Sequence, residues 1–234
     1  MKYLIAADIH GSAFYCEQLI KQFKASGADK LILLGDLLYH GPRNELPFGY
    51  EPKKVINMLN SISDKIFCIR GNCDCDVDQA VLRFPIMAEY AMIPYMDKTI
   101  FITHGHKYGR DAVEKYMKAA ELCAQAKAEG KSFVEPEPIY PLQSGDVLLQ
   151  GHTHVSICTE FANGIININP GSVSIPRGGS SNGYLIYENG LFTRYSLTGM
   201  PEFKYEMTPK VKPAEDTAAA ADTVAEVAAD SSNS

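Results

Sequence analysis

The sequence contains no apolar run that approaches the roughly 18–20 residues needed to span a bilayer. Its first residues also lack the long apolar region of a signal peptide, because the acidic residue Asp8 follows only a short apolar segment. We therefore expect a cytoplasmic protein that has no membrane-spanning segment.

A long run of basic residues is absent as well. Lys and Arg together number 22 against 28 Asp and Glu, which gives a formal net charge of −6 at pH 7. The charge pattern therefore does not indicate an extended nucleic-acid groove. A small phosphorylated substrate that is held by metal ions would not require one.

The chain lacks the paired cysteines of a zinc knuckle. Cys73 and Cys75 are too closely spaced for such a site, and no second pair of this kind completes it. The chain has six cysteines in 234 residues and no recognisable export signal. We interpret these cysteines as free thiols, because a disulfide framework is typical of small secreted chains.

The first part of the chain alternates between strand and helix patterns. Apolar segments at 2–7, 30–34 and 65–69 have the character of buried strands, and an amphipathic helix lies between each pair. Ser12 is placed to cap the first helix and Gly27 to end it. This βαβαβ pattern predicts parallel strands with right-handed crossovers.

A polar group able to bind metal follows each of these three strands. Asp8 and His10 follow the first strand, Asp36 the second and Asn72 the third. Sites in open α/β sheets lie outside the carboxyl ends of the strands. The placement therefore predicts one shared site.

The second half of the chain continues this pattern with histidines. A strand-like segment at 99–103 leads to His104 and His106, and another at 146–150 leads to His152 and His154. Short β-like runs follow at 155–160, 165–169, 183–187 and 191–196, with Asn-Gly turns between some of them. We expect these segments to form a second, mixed sheet that packs on the first.

Five of the six histidines fall into three short clusters, which packing needs do not explain. Together with the polar groups after the first strands they give seven candidate metal ligands. These are Asp8, His10, Asp36, Asn72, His104, His152 and His154. Seven groups exceed what one catalytic ion takes from a protein, so we expect two ions. Asp36 is the best candidate for a bridging ligand, because its strand lies between those that carry Asp8 and Asn72.

The ligand types also limit the choice of metal. Imidazole and oxygen ligands suit Mn, Fe, Zn or Co, and they argue against Ca and against a thiolate zinc site. Two such ions about 3.5–4 Å apart lower the pKa of a bridging water and hold the oxygens of an in-line phosphoryl displacement. The chain therefore predicts metal-assisted phosphoryl chemistry.

Two segments stand apart from this pattern. Residues 111–129 form a helical interruption, and a proline-rich return follows it. Its apolar residues on one face are Val113, Tyr116, Met117, Ala120 and Ala124. The helix is interpreted either as a surface helix packed on the core or as a lid or dimer contact beside the site. Residues 210–234 lack aromatic residues and resemble a disordered tail.

The polar motifs, taken in order, resemble those of the calcineurin-like metallophosphoesterase superfamily. The motifs are Asp8-x-His10, Gly35-Asp36, Gly71-Asn72-Cys73-Asp74, His104-Gly105-His106 and Gly151-His152-Thr153-His154. The stretches 35–44 and 169–179 resemble more closely the small bacterial phosphodiesterases of the YfcE type. The likeness covers roughly residues 2–109 and 142–197 and leaves out the helical insertion and the tail.

The resemblance implies a four-layer αββα sandwich of two mixed sheets flanked by helices. It predicts a domain over 1–200 with an insertion at about 110–141, and a C-terminal extension over 201–234 that is disordered from about 210. It assigns one ion to Asp8, His10, Asp36 and His154, and a second ion to Asp36, Asn72, His104 and His152. Manganese is the expected metal, with Fe, Zn, Co and Ni as alternatives.

The resemblance also implies that a hydroxide bridging the two ions attacks phosphorus without a covalent enzyme intermediate. Asp36 and Asn72 are then catalytic as well as metal-binding. Cys73 stands where most of the superfamily has a histidine that helps to protonate the leaving group. A thiol of pKa ~8.5 is a poorer acid for this task near neutral pH. Two interpretations of Cys73 therefore stay open: it is either a weak catalytic acid or a small residue that fills a tight turn.

Arg43 and His106 are candidates for contacts with the substrate phosphate, since the planar fork of an arginine suits phosphate oxygens. The leading hypothesis is a phosphodiesterase that acts on small phosphodiesters. A phosphomonoesterase of the same fold and a metal-binding scaffold for protein interactions are the alternatives. Whether the chain forms a homo-oligomer is left open.

Overall fold

Two β-sheets lie face to face in the computed structural model, which describes residues 1–137 and 142–208. Within those ranges the helices are α1 (Ala13–Ser26), α2 (Pro52–Asn60), α3 (Asp76–Val81) and α4 (Arg110–Ala128), with a 3₁₀ turn at Ser63–Lys65. The strands there are β1 (Lys2–Ala6), β2 (Lys30–Leu33), β3 (Ile66–Cys68), β4 (Tyr90–Tyr95), β5 (Lys98–Thr103), β6 (Val147–Leu149), β7 (Ser156–Glu160), β8 (Ile166–Pro170), β9 (Gly183–Glu188), β10 (Leu191–Ser196) and β11 (Pro201–Glu206).

The first helix shows how the local sequence sets these bounds. The Ser12 side chain accepts a hydrogen bond from the Tyr15 backbone N–H, as an N-cap residue does. Gly27 ends the helix in the left-handed conformation, with a φ of 65°. The start and the stop that the sequence predicted for this helix are both confirmed.

The first sheet has the strand order β11-β10-β9-β1-β2-β3. The strands β1, β2 and β3 run parallel, as the βαβαβ pattern predicted. The strand β9 pairs antiparallel with β1, and β10 pairs with β9 through the two-residue turn Asn189-Gly190. The prediction that 183–187 and 191–196 belong to the second sheet was therefore wrong. The turn residues specify the hairpin, but they do not specify which sheet it joins.

The second sheet has the order β4-β5-β6-β8-β7. Its central strands β5, β6 and β8 are parallel, and β4 and β7 pair antiparallel at the two edges. The strand β4 was not predicted from the sequence pattern. This strand contains Pro94 and alternates between exposed and half-buried residues, as an edge strand tolerates.

Three apolar layers join these sheets and helices. Between the two sheets lie residues such as Ile5, Ile32, Ile100 and Val147. The outer face of the first sheet packs on α1 and α2, and the outer face of the second packs on Val113 of α4. The four-layer αββα architecture is therefore confirmed.

The helix α4 lies within the predicted insertion. Its buried residue is Val113, and Met117 packs partly on the same apolar cluster. Ala124, which the sequence placed on the packed face, is exposed, as is Leu122. The first half of the helix therefore packs on the second sheet, whereas Leu122 and Ala124 of the second half remain exposed.

The first sheet continues beyond the domain boundary that was predicted at residue 200. Pro201–Glu206 forms the edge strand β11, and its residues Phe203 and Tyr205 pack against the layer between the sheets. Residues 138–141 of the insertion and the predicted disordered tail from 210 onwards lie outside the described residues. In the described part of the chain, no helix is both long enough and apolar enough to cross a membrane.

Arg194 of β10 is fully buried and ties β11 to the loop that follows β8. Its Nε donates to the Pro170 carbonyl over 3.1 Å, and its Nη2 donates to the Ser181 carbonyl over 2.6 Å. Its Nη1 donates to the Ser181 hydroxyl over 2.7 Å and pairs with the Glu202 carboxylate. One guanidinium therefore binds polar groups from three segments.

We expect Arg194→Met to lower the free energy of unfolding by about 3–4 kcal/mol, because it leaves buried carbonyl oxygens without donors. Glu202→Gln should cost no more than about 1 kcal/mol, since a third of the Glu202 side chain is exposed and amide hydrogen bonds remain available. Urea unfolding followed by circular dichroism measures both variants. An unchanged midpoint for Arg194→Met would contradict the structural role assigned to this residue.

Candidate metal centre

The seven predicted ligands all lie at the carboxyl ends of strands, where the two sheets meet. Asp8 and His10 follow β1, Asp36 follows β2 and Asn72 follows β3. His104 follows β5, and His152 and His154 follow β6. The first sheet and the second sheet thus each contribute side chains to one cluster, as their parallel strands require.

The backbone at these positions is unusual. Among the described residues, five of the seven non-glycine residues with a positive φ are predicted ligands. These five are Asp8, His10, Asp36, His152 and His154, with φ between 48° and 66°. Such conformations are sterically costly for residues with a Cβ and concentrate at functional sites. The surrounding fold therefore holds these side chains in one place at a cost in local energy.

Asp36 lies at the centre of the cluster. Its Oδ2 is 3.7 Å from His10 Nε2 and 3.5 Å from His104 Nε2. Its Oδ1 accepts a hydrogen bond of 2.7 Å from the Cys73 backbone N–H. One carboxylate oxygen is thus fixed by the backbone, while the other faces histidines on both sides, as a bridging ligand requires.

Three histidine rings are oriented by backbone carbonyl groups. The Nδ1 of His10 lies 2.7 Å from the Tyr39 carbonyl oxygen, and the Nδ1 of His104 lies 2.6 Å from that of Leu34. The Nδ1 of His154 is 2.8 Å from the Ile175 carbonyl oxygen. A carbonyl only accepts, so each Nδ1 carries the proton, and in the neutral ring each Nε2 keeps its lone pair. Those lone pairs face the cluster, the arrangement seen in metal-binding histidines.

Contacts on either side of Asp36 divide the cluster into two sets. In one set, His154 Nε2 lies 3.5 Å from Asp8 Oδ1 and 3.1 Å from His10 Nε2. In the other, His104 Nε2 lies 3.1 Å from Asn72 Oδ1. The centre of the His152 ring lies 5.1 Å from that of His104.

The residues fit a bound cation. Asp8 Oδ1 is buried and has no hydrogen-bond partner among the described residues, although its Oδ2 accepts from the His152 backbone N–H. Two buried imidazole nitrogens, one from His10 and one from His154, face each other over 3.1 Å and need a proton or a cation between them. Buried polar groups of this kind are rarely left without a partner. Nitrogen and carboxylate donors together suit a divalent transition metal.

The electrostatics of the cluster also favour a bound cation. Burial alone would lower the pKa of His104, but the nearby Asp36 and Asp8 carboxylates outweigh it and raise that pKa to about 9. Burial opposes ionisation of Asp36 too, yet the hydrogen bond and charge of His104 hold its pKa well below the usual range. The ionised Asp36 carboxylate thus attracts positive charge to the centre.

Asp74 holds the loops that carry these ligands. Its buried carboxylate accepts backbone N–H groups of Asp36 at 2.8 Å, Leu37 at 2.9 Å and Gly71 at 2.7 Å. Burial raises the pKa of Asp74 to about 6, although these three donors act in the opposite direction. Gly71 must lack a side chain, because a Cβ there would lie 2.1 Å from Asp36 Oδ1. This role of Asp74 was not predicted from the sequence, because the carboxylate contacts residues up to 38 positions away.

Cys73 is half-buried beside the cluster. Its sulfur accepts from the Asn72 side-chain amide over 3.2 Å, and its Sγ lies within 4.8 Å of ligand atoms of His10 and Asp36. Burial raises the pKa of the thiol far above its usual value, and the Asp36 and Asp74 carboxylates raise it further. The side chain is therefore a neutral thiol near neutral pH.

A polar cavity of about 510 Å³ opens onto the cluster. Arg43, a predicted substrate contact, lines it together with Cys73 and several of the predicted ligands. His106, the other predicted contact, is not among the lining residues and lies half-buried, with its ring centre 5.4 Å from that of His104. Two further residues of the wall, Arg177 and Asp111, were not predicted. Asp111 belongs to the first turn of α4, so the insertion reaches the cavity.

Two packed mixed sheets, with Asp, His and Asn side chains gathered at the ends of their strands, define a metallophosphoesterase. The model of the calcineurin-like phosphoesterase superfamily domain matches residues 1–189. The chain belongs to this superfamily and is a phosphoric ester hydrolase.

Within the superfamily the chain is of the YfcE type. It is 39% identical to phosphodiesterase YfcE of Escherichia coli over 197 residues, which cover 84% of this chain and 92% of that protein. A solved structure of the Escherichia coli phosphoesterase superposes with a TM-score of 0.73 at 36% identity, and the match covers 89% of this chain and all of that one. The probable metallophosphoesterase YsnB of Bacillus subtilis is 25% identical over 191 residues, or 80% of this chain and 83% of that protein. Vps29 of Chaetomium thermophilum shares the fold, with a TM-score of 0.51 and 14% identity, over 89% of this chain and all of that one.

Proposed function

We propose that the protein is a phosphodiesterase that uses two divalent metal ions to hydrolyse small phosphodiesters. The observation that carries this proposal is the convergence of the seven predicted ligands on one cluster beside a polar cavity of about 510 Å³, which five of them line. The similarity to a relative named phosphodiesterase over most of both chains supports the choice of diesters.

Asp8, His10, Asp36 and His154 would hold one ion, and Asp36, Asn72, His104 and His152 the other. Such a pair supplies a nucleophile from water at neutral pH and neutralises charge on the phosphate. The mixed nitrogen and oxygen donors suit manganese, with iron, zinc, cobalt and nickel as alternatives. Location in the cytoplasm stays a prediction from the sequence.

The protein's own part in the reaction is to fix its donors before the substrate arrives. Backbone carbonyl groups hold the rings of His10, His104 and His154, so that the three Nε2 atoms face inward. The Cys73 N–H holds one oxygen of Asp36, and Asp74 holds the loop on which Asp36 lies. Groups positioned in this way need little reorganisation when charge develops on the phosphate oxygens.

Hydrolysis of a bis-aryl phosphate and of the matching mono-aryl phosphate, each with and without Mn²⁺, tests the proposal. We expect Mn²⁺-dependent turnover with a kcat/KM for the diester at least about tenfold above that for the monoester, a difference of about 1.4 kcal/mol in transition-state binding. A preference for the monoester would favour the phosphomonoesterase alternative. Inactivity of the metal-loaded protein on both compounds would overturn the proposed function.

We expect the enzyme to depend strongly on the leaving group, because a neutral thiol stands where a stronger acid would protonate the departing oxygen. Cys73→His should raise the turnover of an alkyl diester at least about tenfold, at the low end of the effect of a general acid, and should change an aryl diester less. Cys75→His is the matched control, because Cys75 is exposed and does not line the cavity. Equal turnover of the alkyl diester by Cys73→His and by the unsubstituted enzyme would leave Cys73 as a turn-filling residue.

A further inference from the structure

Two arginines on the cavity wall have no charge partner among the residues that the structure describes. Three other arginines form ion pairs with a glutamate, namely Arg70 with Glu89, Arg110 with Glu114 and Arg194 with Glu202. Arg43 and Arg177 form no ion pair within the described part of the chain, and both line the cavity beside the metal centre. Two unpaired guanidinium groups in a polar cavity favour the binding of an anion.

The Arg177 side chain is held in place before an anion binds. Its Nη2 donates to the side-chain oxygen of Asn44, and the Asn44 amide donates in turn to the His40 carbonyl over 2.7 Å. The Arg177 backbone N–H donates to the His154 carbonyl over 2.9 Å. The chain thus fixes the guanidinium through a single N–H, and most of its five donors remain for a ligand.

The same contact brings the two arginines to one wall of the cavity. Arg43 precedes Asn44 in the chain, and its side chain makes no hydrogen bond to any described residue. Asp111, from the first turn of α4, is a carboxylate of the cavity wall that is not among the predicted ligands. In addition to predicted metal ligands, the wall therefore carries two positive charges and one negative charge.

We propose that Arg43 and Arg177 bind a second anionic group, carried by the arm of the phosphodiester that does not leave. The inference rests on the proposed function, since the reacting phosphate is taken to lie at the metal centre. It names the substrate class as small diesters whose retained arm bears a phosphate or a carboxylate, such as a nucleotide with a further phosphate. Asp111 limits this preference, because its charge repels the same group.

Two aryl diesters of thymidine distinguish binding at this subsite from binding of the reacting phosphate. Thymidine 5′-(4-nitrophenyl phosphate) and its 3′-phosphorylated form have the same leaving group and the same reacting diester, and they differ by one remote phosphate. In the Mn²⁺-loaded enzyme we expect kcat/KM for the 3′-phosphorylated compound to be at least about tenfold higher, the size of one hydrogen bond to a charged group.

Arg43→Ala and Arg177→Ala should each reduce that ratio by about tenfold, and Asp111→Asn should raise it about threefold, as one partly screened charge implies. Arg83→Ala is the control, because Arg83 is exposed and does not line the cavity. Arg43→Ala keeps the test valid if Arg177→Ala disturbs the loop through Asn44. Equal losses on both compounds would place the arginines at the reacting phosphate and overturn the inference.

Calorimetric binding to the same protein gives a readout that needs no turnover. Thymidine 3′,5′-bisphosphate should bind at least about tenfold more tightly than thymidine 5′-phosphate, and Arg177→Ala should remove the difference. Equal affinities would overturn the subsite even if the enzyme hydrolyses both diesters. Inactivity on both diesters would instead count against the proposed function, and the binding comparison would still decide the subsite.

Discussion

We expect Asp36→Asn to reduce kcat/KM for a bis-aryl phosphate by about 10³-fold or more, since residues that act as a unit lose most of their effect together. Asp36 Oδ2 lies between His10 and His104, so one substitution removes a carboxylate from both sets of ligands. The fold should remain, because the amide oxygen of an asparagine can still accept the Cys73 N–H. Steady-state kinetics with Mn²⁺ and metal analysis of the purified variant measure the effect.

Asp64→Asn is the matched control, because Asp64 is an exposed carboxylate of the 3₁₀ turn whose one ion pair within residues 1–137 and 142–208 is with Lys65. Its activity and metal content should equal those of the unsubstituted enzyme. Far-ultraviolet circular dichroism checks that both variants are folded. Full activity in a folded Asp36→Asn variant would exclude this residue as the bridging ligand.

Removal of the metal should reduce both the activity and the thermal stability of the protein. We expect dialysis against a chelator to abolish hydrolysis of the bis-aryl phosphate, and added Mn²⁺ to restore it, because the reaction depends on the bound ions. Since the site exists only in the folded chain, metal at 1,000 times its dissociation constant should stabilise the fold by about 4 kcal/mol. For a domain of this size that corresponds to a rise in Tm of about 10 °C.

Thermal unfolding at several Mn²⁺ concentrations measures this stabilisation. Asp36→Asn should show a smaller rise in Tm, because it lacks the carboxylate that is proposed to contact both ions. Mg²⁺ is a useful comparison, since histidine nitrogen is a poor ligand for it and the rise should be smaller. A Tm that does not respond to any divalent transition metal would contradict the metal centre itself.

Much of this centre could be predicted because the ligands lie directly after strands. The apolar segment before Asp36 and the one before His104 both have strand character, and the carboxyl ends of parallel strands share one edge. The order of β1, β2 and β3 also follows from local pattern, because short crossovers place consecutive strands side by side. These features depend on residues that are close in sequence.

Other features depend on contacts that no local pattern reveals. The Asn189-Gly190 turn predicts a hairpin, but only the packing of Leu185 and Tyr187 between the sheets decides that this hairpin extends the first sheet. The exposed strand β4 and the edge strand β11 have weak strand patterns and are stabilised by their neighbours. Local propensity is a weak guide in such places, because the partner strand supplies the hydrogen bonds.

The sequence by itself determined which seven residues are candidate metal ligands, the layered class of the fold and the chemistry that those residues favour. Only the tertiary structure decided how they are held: Asp74 across the loops of β2 and β3, and backbone carbonyl groups against three histidine rings. The physical reason is one of distance along the chain. A ligand's type depends on its own side chain, but its orientation depends on groups up to 144 residues away, which only folding brings within hydrogen-bond reach.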